Sequence, residues 1–139
     1  MNDEMIADRY TEQQVNTFLS SYEGLVQELP DLDAAWDDMD AMEQDHHRVM
    51  FGQTWGTRRL LGAIFRAGRL THKQEIRLSQ LDQQMLEESR AAQHCYHLDS
   101  FRLLEIFVWG TPLSLSRRAI HIEIEPRTLN ELALAWGGR

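Results

Sequence analysis

The stretch TEQQVNTFLSSYEGLVQEL, residues 11–29, decides the fold class of this chain. Thr11 followed by Gln14 has the spacing of a capping box, in which each side chain bonds the backbone of the other residue at a helix start. Apolar residues then recur at helical spacing along one face: Val15, Phe18, Leu19, Tyr22, Leu25, Val26 and Leu29. The pattern predicts an amphipathic helix of about five turns that ends at Pro30.

A second helix is predicted between Asp33, its N-cap, and Gly52, its stop signal. Its apolar stripe consists of Trp36, Met39, Met42, His46, Val49 and Met50. Four aspartates lie beside that stripe: Asp37, Asp38, Asp40 and Asp45. We therefore expect the stripe to face the core and the carboxylates to face solvent.

A third helix should begin at Thr54 or Thr57 and end at Gly68, a residue suited to a left-handed C-terminal cap. Thr71 then starts a long fourth helix that runs to about His97. The core face of this fourth helix consists of Leu78, Leu81, Met85, Ala92 and Cys95. The third and fourth helices are predicted to form an antiparallel hairpin.

The last part of the chain mixes helical and strand patterns. Residues 101–109 are apolar nearly all round, which favours a short buried helix, with a buried strand as the alternative. Ile120, Ile122 and Ile124 alternate with polar residues, which is typical of a half-buried strand.

We predict one mainly α-helical domain, residues 1–139, built as a bundle of five to six helices with a short β element near residues 118–125. The N-terminus should be flexible over about residues 1–10, and residues 111–139 should form a strand and helix appendage.

Composition excludes several classes of protein. The chain has 139 residues, of which 42% are hydrophobic and 26% charged, as in a folded globular domain. Cys95 is the single cysteine, so no internal disulfide can form. The acidic N-terminus lacks the apolar run of a secretory signal, and no stretch approaches the roughly 18 to 20 apolar residues that span a bilayer. We therefore expect a cytoplasmic protein without a membrane partner.

Negative charge is concentrated in the first fifty residues. They hold thirteen Asp and Glu against two Arg, a net charge of −11, while the remainder carries +3, which together give the net −8 of the chain. The densest run consists of Asp31, Asp33, Asp37, Asp38, Asp40, Glu43 and Asp45. This run is predicted to bind a basic or nucleic-acid-binding protein. One form of this hypothesis is that its carboxylates mimic the charge of nucleic acid. The alternative is a solvated face whose acids complement a helix dipole.

An arginine-rich patch forms the counterpart of the acidic run. It consists of Arg58, Arg59, Arg66 and Arg69, all expected to face solvent and to bind a partner, with Lys73 and Arg77 nearby. The patch could pair with the acidic run within one subunit or across a dimer, or bind nucleic acid. Direct nucleic-acid binding is disfavoured because the chain is acidic overall and aromatic residues are not interleaved with the arginines.

Two pairs of residues have the spacing of metal ligands on one helix face. Glu43 with His46, and His94 with His97, could each give two ligands to one ion between the second and fourth helices. A di-iron site of the known kind needs two copies of the Glu-x-x-His pattern, and one is present. The alternative interpretation makes His46 a core residue and His94 and His97 surface residues. We predict no bound metal and no cofactor, and we interpret Cys95 as a core residue.

No motif in the chain specifies a reaction, so the sequence predicts a non-enzymatic function. The favoured hypothesis is a small acidic protein–protein interaction module, a regulator, adaptor or inhibitor. The alternatives are a metal-binding bundle with redox or hydrolytic activity and a nucleic-acid accessory subunit of a larger complex. The apolar C-terminal part further predicts a homodimer, with an interface of Phe101, Phe107, Trp109, Ile120, Ile122, Ile124 and Trp136.

Overall fold

The computed structural model of the chain describes residue 5, residues 8–98 and residues 100–113. It confirms a mainly α-helical fold. The elements are α1 (Glu12–Ala35), a 3-10 turn (Trp36–Asp38), α2 (Ala41–Arg66), α3 (His72–Glu87), α4 (Ser89–Tyr96), α5 (Ser100–Leu103) and α6 (Glu105–Trp109). Among them, no helix combines the length and the apolar character needed to cross a membrane. The β element predicted near residues 118–125 lies outside the described residues.

Helix α1 is the centre of the bundle. The predicted capping box is present, with the Gln14 backbone N–H donating to Thr11 Oγ1 at 3.1 Å and the Thr11 N–H donating to Gln14 Oε1 at 2.8 Å. The buried face of α1 consists of Val15, Leu19, Tyr22, Leu25, Val26, Leu29 and Leu32. Through this face α1 packs against α2, α3 and α4.

Pro30 does not end α1, contrary to the prediction from the sequence. The helix continues for five more residues to Ala35. Proline removes one backbone hydrogen bond and normally kinks a helix. Here Leu29 and Leu32 on both sides of it are buried, so packing holds the chain in the helical path.

Helix α2 is one continuous helix of 26 residues, and the predicted stop at Gly52 and restart at Thr54 or Thr57 were wrong. Gly52 does not take a left-handed conformation. The Thr57 hydroxyl donates to the carbonyl of Gln53 one turn earlier, which satisfies it inside a helix. Glycine and threonine lower helix propensity without ending a helix whose next turns are anchored in a core.

The face that α2 buries differs from the predicted one. Met42, Val49 and Met50 are 82%, 60% and 47% exposed, and His46 is also exposed. The residues that α2 buries start at Phe51 and continue with Trp55. The prediction counted one helical phase from Trp36, but the 3-10 turn and the extended Met39 reset the phase before α2 begins.

The connection from α2 to the next two helices follows the sequence closely. Gly68 has a φ of 71°, and Thr71 forms a second capping box with Gln74. The predicted core residues of the fourth helix are all buried: Leu78, Leu81, Met85, Ala92 and Cys95. The helix is not continuous, because Glu88, with a ψ of 21°, separates α3 from α4.

Residues 100–109 form two short helices, α5 and α6, rather than one helix or a strand. Leu103, Leu104, Ile106 and Phe107 are buried, while Val108 is exposed. The backbone of α6 approaches α2 at Gly62, where a Cβ atom would lie 2.5 Å from the carbonyl oxygen of Trp109. Glycine is therefore required at this crossing.

The core contains a buried ion pair between α2 and α3. Arg58 donates from Nε to Asp82 Oδ1 and from Nη2 to Asp82 Oδ2, both at 2.8 Å, and neither side chain is exposed. The Tyr22 hydroxyl donates to Asp82 Oδ1 at 2.8 Å, and Thr111 donates to Oδ2. Arg58 Nη2 also donates to the carbonyl of Gly110. The prediction that Arg58 faces solvent was wrong.

Candidate functional site

The acidic run, residues 31–45, folds as the end of α1, the 3-10 turn and the beginning of α2. Asp40 is the N-cap of α2, and its Oδ1 accepts from the Glu43 N–H at 2.8 Å. Asp45 pairs with Arg48 at 3.3 Å. Part of the run therefore stabilises local structure.

Two further carboxylates of the run enclose one histidine. The Nδ1 atom of His94 lies 2.7 Å from Asp33 Oδ1, and its Nε2 lies 3.2 Å from Asp37 Oδ1. The hydrogen bond to Asp33, together with the charge of Asp37, raises the pKa of His94. The contact joins the end of α1 to α4.

Three carboxylates of the run remain exposed and form no ion pair with any described residue: Asp31, Asp38 and Glu43. At 100° per residue, Glu43 and Asp45 lie on opposite sides of the exposed face of α2. We call Glu43 and Asp45, together with the exposed Asp38 of the preceding 3-10 turn, the acidic rim.

An apolar stripe lies between the two sides of this rim. Met42, His46, Val49 and Met50, which we call the α2 stripe, fall at offsets of four, seven and eight residues, so they share one helix face. That face points away from the core residues Phe51 and Trp55. The sequence identified these residues as a stripe but assigned it to the wrong side.

A cleft of about 320 Å³ between α1 and α2 adjoins the stripe at Met50. One wall carries Glu28, which faces His47 Nδ1 at 3.4 Å. Deeper in the cleft, Phe51 stacks on Tyr96 with ring centroids 4.1 Å apart. The cleft is therefore lined by two aromatic rings and by a carboxylate.

Arg48 fixes the other side of α2 to α4. Its guanidinium lies over the Trp36 ring, 5.2 Å from the centroid, and its Nε donates to the carbonyl of Cys95 at 3.3 Å. Its Nη2 lies 2.6 Å from His97 Nε2, and because a guanidinium can only donate, the ring nitrogen is the acceptor in this hydrogen bond. These contacts tie the beginning of α2 to α4, while its outer face is exposed among the described residues.

The arginine-rich patch is dispersed by the fold. Arg58 is in the core, where burial alone would lower its pKa but the Asp82 carboxylate outweighs that effect and raises it. Arg69 pairs with Asp8 at 2.7 Å. Arg77 pairs with Glu23 at 2.8 Å. Arg59 and Arg66 are exposed. None of the partners Asp82, Asp8 and Glu23 belongs to the acidic run.

The four residues of the sequence-based metal hypothesis are not gathered into one site. Glu43 and His46 are exposed on α2, whereas His94 contacts Asp33 and His97 contacts Arg48. The suggestion that His46 lies in the core was wrong. Within the described part of the chain, the only group of three potential ligands whose atoms lie within 4.8 Å of one another is Asp33, His94 and Cys95.

The predicted dimer interface is described only in part. Phe107 is buried within the chain, and Trp109 packs its ring against Trp55 at 5.1 Å. The side chain of Phe101 and all of Ile120, Ile122, Ile124 and Trp136 lie outside the described residues. Within this segment the bundle buries Phe107 and leaves Val108 exposed, and the homodimer itself stays a prediction.

No protein-family model, curated protein or solved structure matches this chain.

Proposed function

We propose that this protein is a non-catalytic protein-binding module whose recognition surface is the α2 stripe with its acidic rim. The partner is a basic amphipathic helix of another protein. One observation carries the proposal: Met42, Val49 and Met50 are exposed together on one face of α2.

The exposed apolar residues favour binding because each gains about 1.5–3 kcal/mol when it is fully buried. Met42 is 82% exposed, whereas several other apolar residues of the chain are completely buried. Methionine is also frequent on binding surfaces, because its flexible side chain adapts to its partner. Helices that bind such surfaces present apolar residues at intervals of three and four.

The charge of the rim determines the kind of partner. Asp38 and Glu43 have no described ion-pair partner, and Asp45 is 73% exposed although it pairs with Arg48. Lysine or arginine flanking the apolar face of the partner would complement these carboxylates and speed association. A partner with acidic flanks would be repelled.

The proposal is tested by quantitative capture of proteins from an extract of the source cells, with wild type and two variants as bait. Met42→Ser/Val49→Ser removes the two most exposed apolar side chains of the stripe. Ile76→Ser is the matched control, because Ile76 is 46% exposed on α3, away from the stripe. We expect a partner that wild type and Ile76→Ser retain and that the double variant binds at least about tenfold more weakly.

The charge of the rim is tested in the same experiment with Asp38→Asn/Glu43→Gln. Its control is Glu87→Gln, which changes an exposed carboxylate at the end of α3. We expect weaker capture for the rim variant alone, and loss of that difference at high salt. Equal capture by wild type and both stripe and rim variants would refute the proposal.

A further inference from the structure

Three different potential metal ligands converge where the end of α1 meets α4. Asp33 Oδ1 lies 2.7 Å from His94 Nδ1 and 3.9 Å from the Cys95 sulfur. The nitrogen and the sulfur also lie within 4.8 Å of each other. Cys95 is buried, Asp33 is half-buried and His94 is exposed, so the group lies just beneath the surface.

The oxygen–sulfur separation is close to that of a small tetrahedral site, and the other two separations are within reach of it. Zinc binds thiolate at about 2.3 Å and imidazole or carboxylate at about 2.0–2.2 Å, which places neighbouring ligand atoms roughly 3.5 Å apart. The oxygen and sulfur, at 3.9 Å, are already near that spacing. The oxygen and nitrogen are closer because they share a hydrogen bond, and they need to separate by less than about 1 Å.

The orientation of the imidazole also fits a metal ligand. His94 presents Nδ1 to Asp33, while Nε2 lies 3.2 Å from Asp37. A metal-bound histidine commonly donates its other N–H to a carboxylate, which fixes its tautomer and ring orientation. Asp37 is placed to accept that hydrogen bond, so the outer partner of the ligand is present as well.

We propose that Asp33, His94 and Cys95 bind one Zn²⁺ ion, with water as the fourth ligand. The mixture of sulfur, nitrogen and oxygen donors selects zinc or a similar transition metal over Mg²⁺ or Ca²⁺, which prefer oxygen alone. This site shares only His94 with the site considered from sequence. It is also independent of the α2 stripe, so it can fail while the proposed function holds.

Binding at this site would tie α4 to α1 through Asp33 of the acidic run. The ion would replace the hydrogen bond between Asp33 and His94 with bonds from three side chains to one centre. A ligand that binds only the folded state raises stability by mass action. The thermal midpoint should therefore rise with Zn²⁺ concentration.

The site is tested by titrating Co²⁺ and then Zn²⁺ into full-length protein that has been stripped with chelator and kept reduced. We expect one equivalent of Co²⁺ to produce the near-ultraviolet band of a cobalt–thiolate bond, and Zn²⁺ to displace it. His94→Ala and Asp33→Asn should each weaken binding at least about 100-fold, and Asp37→Ala about 10–100-fold. His72→Ala, a change of an exposed histidine at the start of α3, is the control and should bind Co²⁺ normally.

Cys95→Ser should abolish the thiolate band. Because Cys95 is buried, this variant can lose stability for reasons of packing. The two changes at the less buried His94 and Asp33 keep the test decisive. Absence of Co²⁺ binding, binding without a sulfur band, or equal affinity in wild type and His94→Ala would overturn the proposal.

Discussion

Arg58 and Asp82 form a two-pronged ion pair with no solvent contact, in which both N···O distances are 2.8 Å. The carboxylate also accepts from Tyr22 and Thr111, so four donor atoms from α1, α2 and the residues after α6 meet at one side chain of α3. Such a cluster is stable only while every member is present, because a buried charge without its partner is costly.

Asp82→Asn should lower the free energy of unfolding by about 3–5 kcal/mol. The new amide turns an N–H₂ group toward donors and leaves the charge of Arg58 unbalanced in the core. The measurement is urea unfolding at neutral pH. The control is Asp8→Asn, which breaks the exposed pair with Arg69 and should cost less than about 1 kcal/mol. Equal losses in the two variants would contradict the role assigned to burial.

Tyr22→Phe should cost about 1–3 kcal/mol, because it removes one hydrogen bond to the buried Asp82 carboxylate. Burial, together with the neighbouring carboxylate, raises the pKa of the Tyr22 hydroxyl well above its ordinary value, so it is a donor at all working pH values. In a double-mutant cycle with Asp82→Asn, the two losses should not add, since both act on one cluster. Strict additivity would show that the two residues act separately.

Gly62→Ala should destabilise the fold by about 1–3 kcal/mol, because its methyl group would overlap the backbone of Trp109. Gly24→Ala, in the middle of α1, is the matched control. A Cβ there meets no atom within 4 Å, so the change should stabilise the helix by about 0.4–1 kcal/mol. Thermal unfolding of both variants gives the comparison. A Gly62→Ala protein as stable as Gly24→Ala would disprove the close crossing of α2 and α6.

Asp40→Ala should lower stability by about 0.5–2 kcal/mol, because the side chain caps α2. Asp40→Asn keeps a capping oxygen while removing the charge, and it should be close to wild type in unfolding experiments. Asp38→Asn, which removes a carboxylate that caps nothing, should be neutral or slightly stabilising. A large loss in Asp38→Asn would show that the rim serves folding instead of binding.

Local signals in the sequence predicted the start of α1, the end of α2 and the start of α3. The capping boxes at Thr11 and Thr71 and the turn at Gly68 depend on residues within a few positions of one another, so they can be read from the chain. Pro30 and Gly52 misled because a local preference against helix is smaller than the packing of the turns around it. The outcome at those positions depended on distant residues.

The candidate sites could not be predicted from the sequence, because their residues come together only in the folded chain. Arg58 appeared to be solvent-facing because it is charged, although it lies three residues from Trp55 and from Leu61, on the face that the core covers. Asp82 likewise lies between Leu78 and Met85. In both cases the sequence contains a signal of burial, because the charged residue lies at helical spacing from apolar residues on the same face. The meeting of Asp33 with His94, which are 61 positions apart, left no trace in spacing.

The cluster around Asp82 also bears on how the chain is made. Tyr22 and Asp82 are 60 positions apart, and Thr111 follows Asp82 by another 29. At roughly 5–20 residues per second, the ribosome delivers the last of these partners on the order of 5–20 s after the first. Arg58 and Asp82 can pair as soon as both have been made, but the hydrogen bonds that complete the cluster come from the last residues of this set. The full set of hydrogen bonds around the buried pair therefore cannot form before Thr111 has been synthesised.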